Sequence, residues 1–207
     1  MCEGDLVDQG RGPMSGNGSA GRGTADGVGA ATGTVRRSTA DQEPGLAWEQ
    51  RLAAAWSRLD ALPAPQFRAL IDALAAELPP DSAVAAFERA GAFDSTGRPD
   101  RAVPLYRLAL ERGVEGVRRR RAKIQLASSL RNLGRPEEGV ALLSPELDAE
   151  SDELDDAVRA FLGLCLADTG REREALALAL GALAPHLPRY QRSLRHYARG
   201  LNAPAAS

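Results

Sequence analysis

An all-α solenoid is the fold class this sequence predicts, and three observations predict it. Hydrophobic residues make up 43% of the chain and aromatics only 4%. The core must therefore be built from Ala, Leu and Val, and Ala and Leu favour helix, whereas β-branched and aromatic residues lead the strand scale. A glycine followed by an arginine recurs at Gly97, Gly134 and Gly170, 37 and then 36 residues apart, a period that marks stacked helical repeats. A small residue stands seven positions before each of these glycines (Ala90, Ala127, Gly163) and another five after it (Ala102, Gly139, Ala175). Small groups at matched places on successive helices let two backbones approach closely, which a short helical hairpin needs.

Residues 1–45 hold 11 of the 21 glycines and almost no large apolar groups. Such a stretch cannot bury enough surface to offset its ordering entropy, so it reads as a disordered Gly-rich tail. Met14 opens the same frame, and translation starting there would omit residues 1–13. From Leu46 the pattern changes. Trp48, Leu52, Trp56, Leu59 and Leu62 recur at helical spacing, as do Phe67, Leu70, Ile71, Leu74 and Leu78. Pro63 and Pro65 separate the two runs, Pro65 suits the first turn of the second, and Pro79-Pro80 stops it. Residues 46–78 thus read as a helix pair.

Three hairpins follow, at 82–112, 117–148 and 152–184. In each, the glycine supplies the left-handed backbone that ends the first helix. Pro99 and Pro136 open the second helices of the first two, and Asp100, Glu137, Glu138 and Glu172 occupy first turns, where the helix dipole favours acids. Pro104 falls inside one second helix and Pro145 near the end of another. A bend is expected at the former and termination at Ser144 before the latter. Leu187, Tyr190, Leu194, Tyr197 and Leu201 then form an apolar stripe with Arg189, Arg192, Arg195 and Arg199 off it. Residues 187–201 read as a helix capping the solenoid, and the functional alternative is a basic amphipathic helix. Residues 202–207 read as a flexible end.

The segment QLASSLRNLGRPEEGVALL from Gln125, with its two flanking near-copies, resembles a tetratricopeptide-repeat protein, most closely the bacterial group-five form of that domain. The resemblance runs from about Phe67 to Leu183. It implies helix–turn–helix units stacked in a right-handed superhelix, and protein–protein binding on the concave face. The spacing slightly exceeds the family's usual period, and no unit carries the large aromatic often found near its start. The carboxylate clamp of chaperone-binding relatives is not reproduced: Phe87, Gly91, Ala157 and Phe161 stand where that pattern wants basic or amide side chains. A receptor for chaperone tails is thereby disfavoured.

Net charge is −2, from 26 basic and 28 acidic residues, so no global field selects nucleic acid or an acidic membrane. Lys123 is the single lysine. Cys2 and Cys165 cannot make a disulfide framework, and Cys165 sits in the apolar run LGLCLA, where a buried inert thiol is expected. No segment approaches the ~20 apolar residues of a membrane span, and no secretory leader pattern is present; the chain reads most simply as cytoplasmic. His186 and His196 have no partner at metal-ligand spacing. No phosphate-binding loop, nucleophile elbow or HExxH appears. No catalytic residue, cofactor or metal is assigned.

Two charge runs remain. Arg118–Arg121 with Lys123 begin the first helix of the second unit, where positive charge is disfavoured. Seven acids lie between Glu146 and Asp156. Both runs fall on one edge of a stacked array, so they are expected to be neighbours that partly neutralise each other. The rival is an anion or nucleic-acid patch, which lacks the aromatic residues that stack bases. On helical geometry the concave face comprises Val84, Phe87, Asp94, Arg121, Ser128, Arg131, Asn132, Leu164 and Asp168. Arg121, Ser128 and Arg131 lie on nearly one stripe, and two arginines there suit a carboxylate-bearing peptide. The reading is a non-enzymatic scaffold that binds a protein or peptide partner. Its rivals are an anion or nucleic-acid binder using the Arg-rich edge and the basic C-terminal helix, a carboxylate enzyme, and self-association through an uncapped N-terminal hairpin bearing Trp48 and Trp56.

Overall fold

The computed structural model describes residues 44–201. The tail reading falls almost wholly outside them, as does residues 202–207. Nine α-helices occur in this span: α1 (Leu46–Trp56), α2 (Ala64–Ala75), α3 (Ala83–Asp94), α4 (Pro99–Glu111), α5 (Gly116–Asn132), α6 (Pro136–Leu143), α7 (Asp155–Asp168), α8 (Glu172–Leu183) and α9 (Gln191–Leu201). They pack consecutively, and α3, α5 and α7 also touch one another in order. The first helices of the units thus form one layer and the second helices another.

The repeat is punctuated by one local motif used three times. Gly97, Gly134 and Gly170 take φ of +74°, +72° and +78°. At each, the amide of the following Arg donates back five residues: Arg98 to the Phe93 carbonyl at 2.9 Å, Arg135 to Leu130 at 3.0 Å, and Arg171 to Leu166 at 2.9 Å. The glycine amides donate to Asp94, Arg131 and Ala167. This pair of bonds is the Schellman motif, which satisfies the last carbonyls of a helix and needs a left-handed residue. The glycines are exposed bends, as the periodicity predicts. A fourth copy at Gly113 (φ +79°) ends α4.

The small residues do what their spacing predicts. Ala90, Ala102 and Ala127 are wholly buried. A Cβ built on Gly139 would stand 2.6 Å from Cys165 Sγ and 3.3 Å from the Ala127 carbonyl, and one on Gly163 would stand 3.3 Å from the Ala175 carbonyl. Three apolar clusters run along the array. One joins α1 and α2 to Val84 and Ala92, one joins α3, α4 and α5, and one joins α5, α6, α7 and α8 around Leu143, Val158 and Leu162. Each hairpin buries its stripe only against its neighbours. Cys165 is buried in the last cluster, and burial pushes its thiol up.

Several elements depart from the sequence reading. Leu59 and Leu62 lie beyond the end of α1, in and after a 3₁₀ turn, yet still pack into the N-terminal cluster. Pro104 lies inside α4, as the sequence reading has it, and its exposed ring removes a single ladder bond. At the next proline the expected stop occurs: α6 ends at Leu143 and Ser144–Leu147 tightens into a 3₁₀ turn. Trp48 and Trp56 are engaged within the N-terminal pair and α3. Trp48 is buried and donates to the Leu74 carbonyl at 2.9 Å. Trp56 meets Phe67 edge-on, lies against Gly91, and donates to Glu88 at 2.9 Å.

The C-terminal helix starts at Gln191 rather than Leu187. Leu187 is extended and Tyr190 takes a left-handed φ of +69°, so the helical phase is reset. Leu194, Ala198 and Leu201 turn inward, whereas Tyr190 and Tyr197 are 77% and 66% exposed. The expected five-residue apolar stripe is therefore half realised. Among the described residues no helix is long and apolar enough to cross a membrane, and no cluster of His, Cys, Asp or Glu is suited to a metal ion.

Candidate functional site

The face formed by the first helices is set by what covers each of them. Helix α3 is covered by the N-terminal pair. Val84 packs into the cluster of α1 and α2, and Trp56 closes over Gly91 and Glu88. Val84 and Phe87 therefore do not line a groove: they are 3% and 2% exposed and belong to the core. Asp94 is half-buried and engaged, accepting from Ser129 Oγ at 2.8 Å and the Tyr106 hydroxyl at 3.3 Å. Burial raises its carboxyl above the usual range, against the pull of those two donors.

Helices α5 and α7 keep an open stripe. On α5 it runs Arg121, Gln125, Ser128, Asn132, spaced four, three and four, which is one helical face. Thirty-six residues on, the interval between Gly134 and Gly170, the same stripe on α7 reads Ala157, Phe161, Leu164, Asp168. Arg121, Asn132, Leu164 and Asp168 are exposed, and the other four are half-buried. The sequence reading missed Gln125, Ala157 and Phe161. The 36-residue register from Arg121 would have found Ala157, and the i+4 spacing from Arg121 and Ala157 would have found Gln125 and Phe161.

Charge on this face is arranged asymmetrically. The Arg121 guanidinium lies over the Phe87 ring, 5.4 Å from its centroid, and no carboxylate stands at ion-pair distance from it among the described residues. Arg131, by contrast, is paired: its Nε lies 2.7 Å from Asp168 Oδ2, tying the end of α5 to the end of α7. Of the two arginines expected to form a clamp, Arg131 is thus engaged by Asp168, and Arg121 has no carboxylate at ion-pair distance among the described residues. Gln125 Oε1 is buried without a hydrogen-bond partner. A donor from a bound peptide backbone would satisfy it.

The basic run divides between two neighbours. Arg118 turns back to α1 and α3, meeting Glu49 at 2.6 Å and Glu88 at 3.2 Å. Burial pushes the Glu88 carboxyl up, opposed by the Trp56 and Arg118 bonds. Arg120 turns forward to the acidic run: it is paired with Asp152, lies 2.8 Å from Asp155, and donates to the Glu146 carbonyl at 3.1 Å. Lys123 pairs with Glu146. The expected neighbourhood of the two runs holds for Arg120 and Lys123, while Arg118 serves the opposite side. Ser151, and Arg120 after it, hold Asp155 below the usual carboxylate range. The run is thus a staple between units, with Arg119 and Arg121 left exposed.

The family described as "Tetratrico peptide repeat" matches residues 83–201, more than half of the 207 residues. The chain belongs to the tetratricopeptide repeat family. The match begins at Ala83, the first residue of α3, and ends with α9. In this tetratricopeptide-repeat protein the N-terminal helix pair stands outside the matched region, which begins later than the Phe67 at which the sequence resemblance starts, and α9 stands inside. No curated protein and no solved structure matches the chain. The family suggests a role in protein–protein interaction.

Proposed function

We propose that the open face of α5 and α7 binds an extended segment of a partner protein and that the chain acts as a non-enzymatic scaffold. The observation that carries this reading is the stripe repeated at 36 residues, which stays accessible on two successive units while α3 is sealed by α1 and α2. Its chemistry suits a segment with one acidic and one apolar side chain. Arg121 offers a guanidinium set over the Phe87 ring, and Leu164 offers an exposed apolar contact one unit away. The Arg-rich edge gives little support to the anion-binding alternative, because Arg118 and Arg120 are engaged inside the protein.

A photocrosslinking amino acid at Leu164 in the full chain tests this. It should trap a defined partner in the native cell, and Arg121→Glu should reduce that product at least tenfold. The same crosslinker at Leu176, exposed on second-layer helix α8, should not trap it. Equal trapping at both positions, or indifference to Arg121→Glu, removes the groove reading.

A further inference from the structure

We propose that the outer surface of α9 binds single-stranded nucleic acid, at a site separate from the α5–α7 groove. Residues 187–201 contain four arginines and no acid. Along the rest of the array arginines commonly find carboxylates, as in Arg51–Glu77, Arg89–Asp72, Arg107–Glu138 and Arg171–Glu174. At the C-terminal end this stops. Arg189, Arg192 and Arg195 make no ion pair among the described residues, and Arg199 bonds only the Arg195 carbonyl one turn back.

The helix presents these groups in an order. Its inward face is Leu194, Ala198 and Leu201, packed on α8. Around the remaining surface the helical wheel runs Arg195, Arg199, Arg192, then His196, Gly200 and Ser193, then Tyr197. An arginine edge and Tyr197 are thus separated by a strip of His196, Gly200 and Ser193, and Tyr190 stands just before the helix, exposed on a left-handed backbone. On the arginine side a cleft of about 450 Å³ opens between α7 and α9, with Arg159, Arg195 and Arg199 on its walls and Ala177, Leu178 and Gly181 of α8 beneath. Arg159 is paired with Asp156, whereas the α9 arginines have no ion-pair partner among the described residues. On the other side Tyr197 carries His196 edge-on, and Tyr190 is held out by its left-handed backbone, a conformation uncommon for a bulky residue.

Phosphates meet guanidinium groups, bases stack on aromatic faces, and strand-tolerant binders combine the two. A strand crossing α9 would set phosphates against Arg195, Arg199 and Arg192 and bases against Tyr197 and Tyr190, with Gly200 and Ser193 letting it approach closely. A lipid surface is disfavoured because the apolar side of α9 faces the protein. An acidic peptide would use the arginines but leave both tyrosines without a role.

The test is fluorescence anisotropy of a labelled 12-mer oligouridylate with the full chain. Three phosphate contacts predict a fall of roughly 20-fold in affinity between 50 and 200 mM salt. Arg192→Gln/Arg195→Gln/Arg199→Gln should abolish most of that salt dependence. Tyr190→Ala/Tyr197→Ala should weaken binding about fivefold or more for each base unstacked, and Arg121→Glu should change nothing. Unchanged helicity by circular dichroism keeps these exposed variants interpretable. No binding at 50 mM salt overturns the proposal. So does an equal affinity for polyglutamate, or indifference to loss of both tyrosines, which would make the surface a docking site for an acidic protein. Preferential binding to vesicles containing anionic lipid would also overturn it.

Discussion

Gly139 offers a sharp test of how closely the units must stack. It lies in α6, where alanine would ordinarily be better than glycine by about 1 kcal/mol, because glycine loses more backbone freedom on folding. An added methyl at this place would stand 2.6 Å from Cys165 Sγ and 3.3 Å from the Ala127 carbonyl. The sulfur can turn only among the rotamers its helix allows, and the carbonyl belongs to backbone of α5. Overpacking of this kind costs about 1–3 kcal/mol, so after the intrinsic gain the net expectation is a loss of up to about 2 kcal/mol. For a domain of roughly 150–250 residues each kcal/mol moves Tm by about 2–4 °C, giving a drop of up to roughly 8 °C by calorimetry. Gly181→Ala is the internal control: it is also helical, its added methyl would meet nothing within 4 Å, and Tm should rise by about 2–3 °C. Cys165→Ala combined with Gly139→Ala should be more stable than the sum of the single changes predicts, by about 1 kcal/mol or more. If Gly139→Ala raised Tm as Gly181→Ala does, the close approach of α5, α6 and α7 would not be the reason for the glycine.

Two further outcomes follow from the charge runs. Arg120, with its side chain 7% exposed, holds Glu146, Asp152 and Asp155. Arg120→Ala should cost about 1–3 kcal/mol in urea unfolding, because it removes the donor to the buried Glu146 carbonyl, whereas Arg119→Ala on the exposed side should stay within about 0.5 kcal/mol. Glu88 has its folded carboxyl raised by burial, so the fold binds this proton more tightly than the unfolded chain does. Its contribution is fully present below the unfolded carboxylate range near ~4.3 and is lost as pH rises through the folded value. Wild type should therefore gain stability relative to Glu88→Gln as pH is lowered from 7 toward 4.5; a difference that stays flat or runs the other way contradicts the burial argument. Comparison with the variant is needed because Asp155, Asp156, Glu138 and Glu174 are held below their usual range and shift stability in the opposite direction.

What could be read from the residues alone is local. The left-handed turns at Gly97, Gly134 and Gly170, the prolines opening α4 and α6, and the small-residue pairs Ala90–Ala102, Ala127–Gly139 and Gly163–Ala175 each depend on backbone sterics within a few residues. A period of 36 or 37 then places them in one stack. The destination of long side chains was not legible in this way. Arg118 and Arg120 are two residues apart, yet one meets Glu49 and the other Asp155, because successive side chains on a helix diverge and meet different neighbours. Val84 and Phe87 carry the right spacing for a groove but lie under α1, α2 and their own hairpin. Tyr190 and Tyr197 carry the right spacing for a buried stripe but are turned outward, since the chain enters α9 four residues later than periodicity suggests. Periodicity specifies which residues share a face; only packing between units selects which faces meet protein and which meet water.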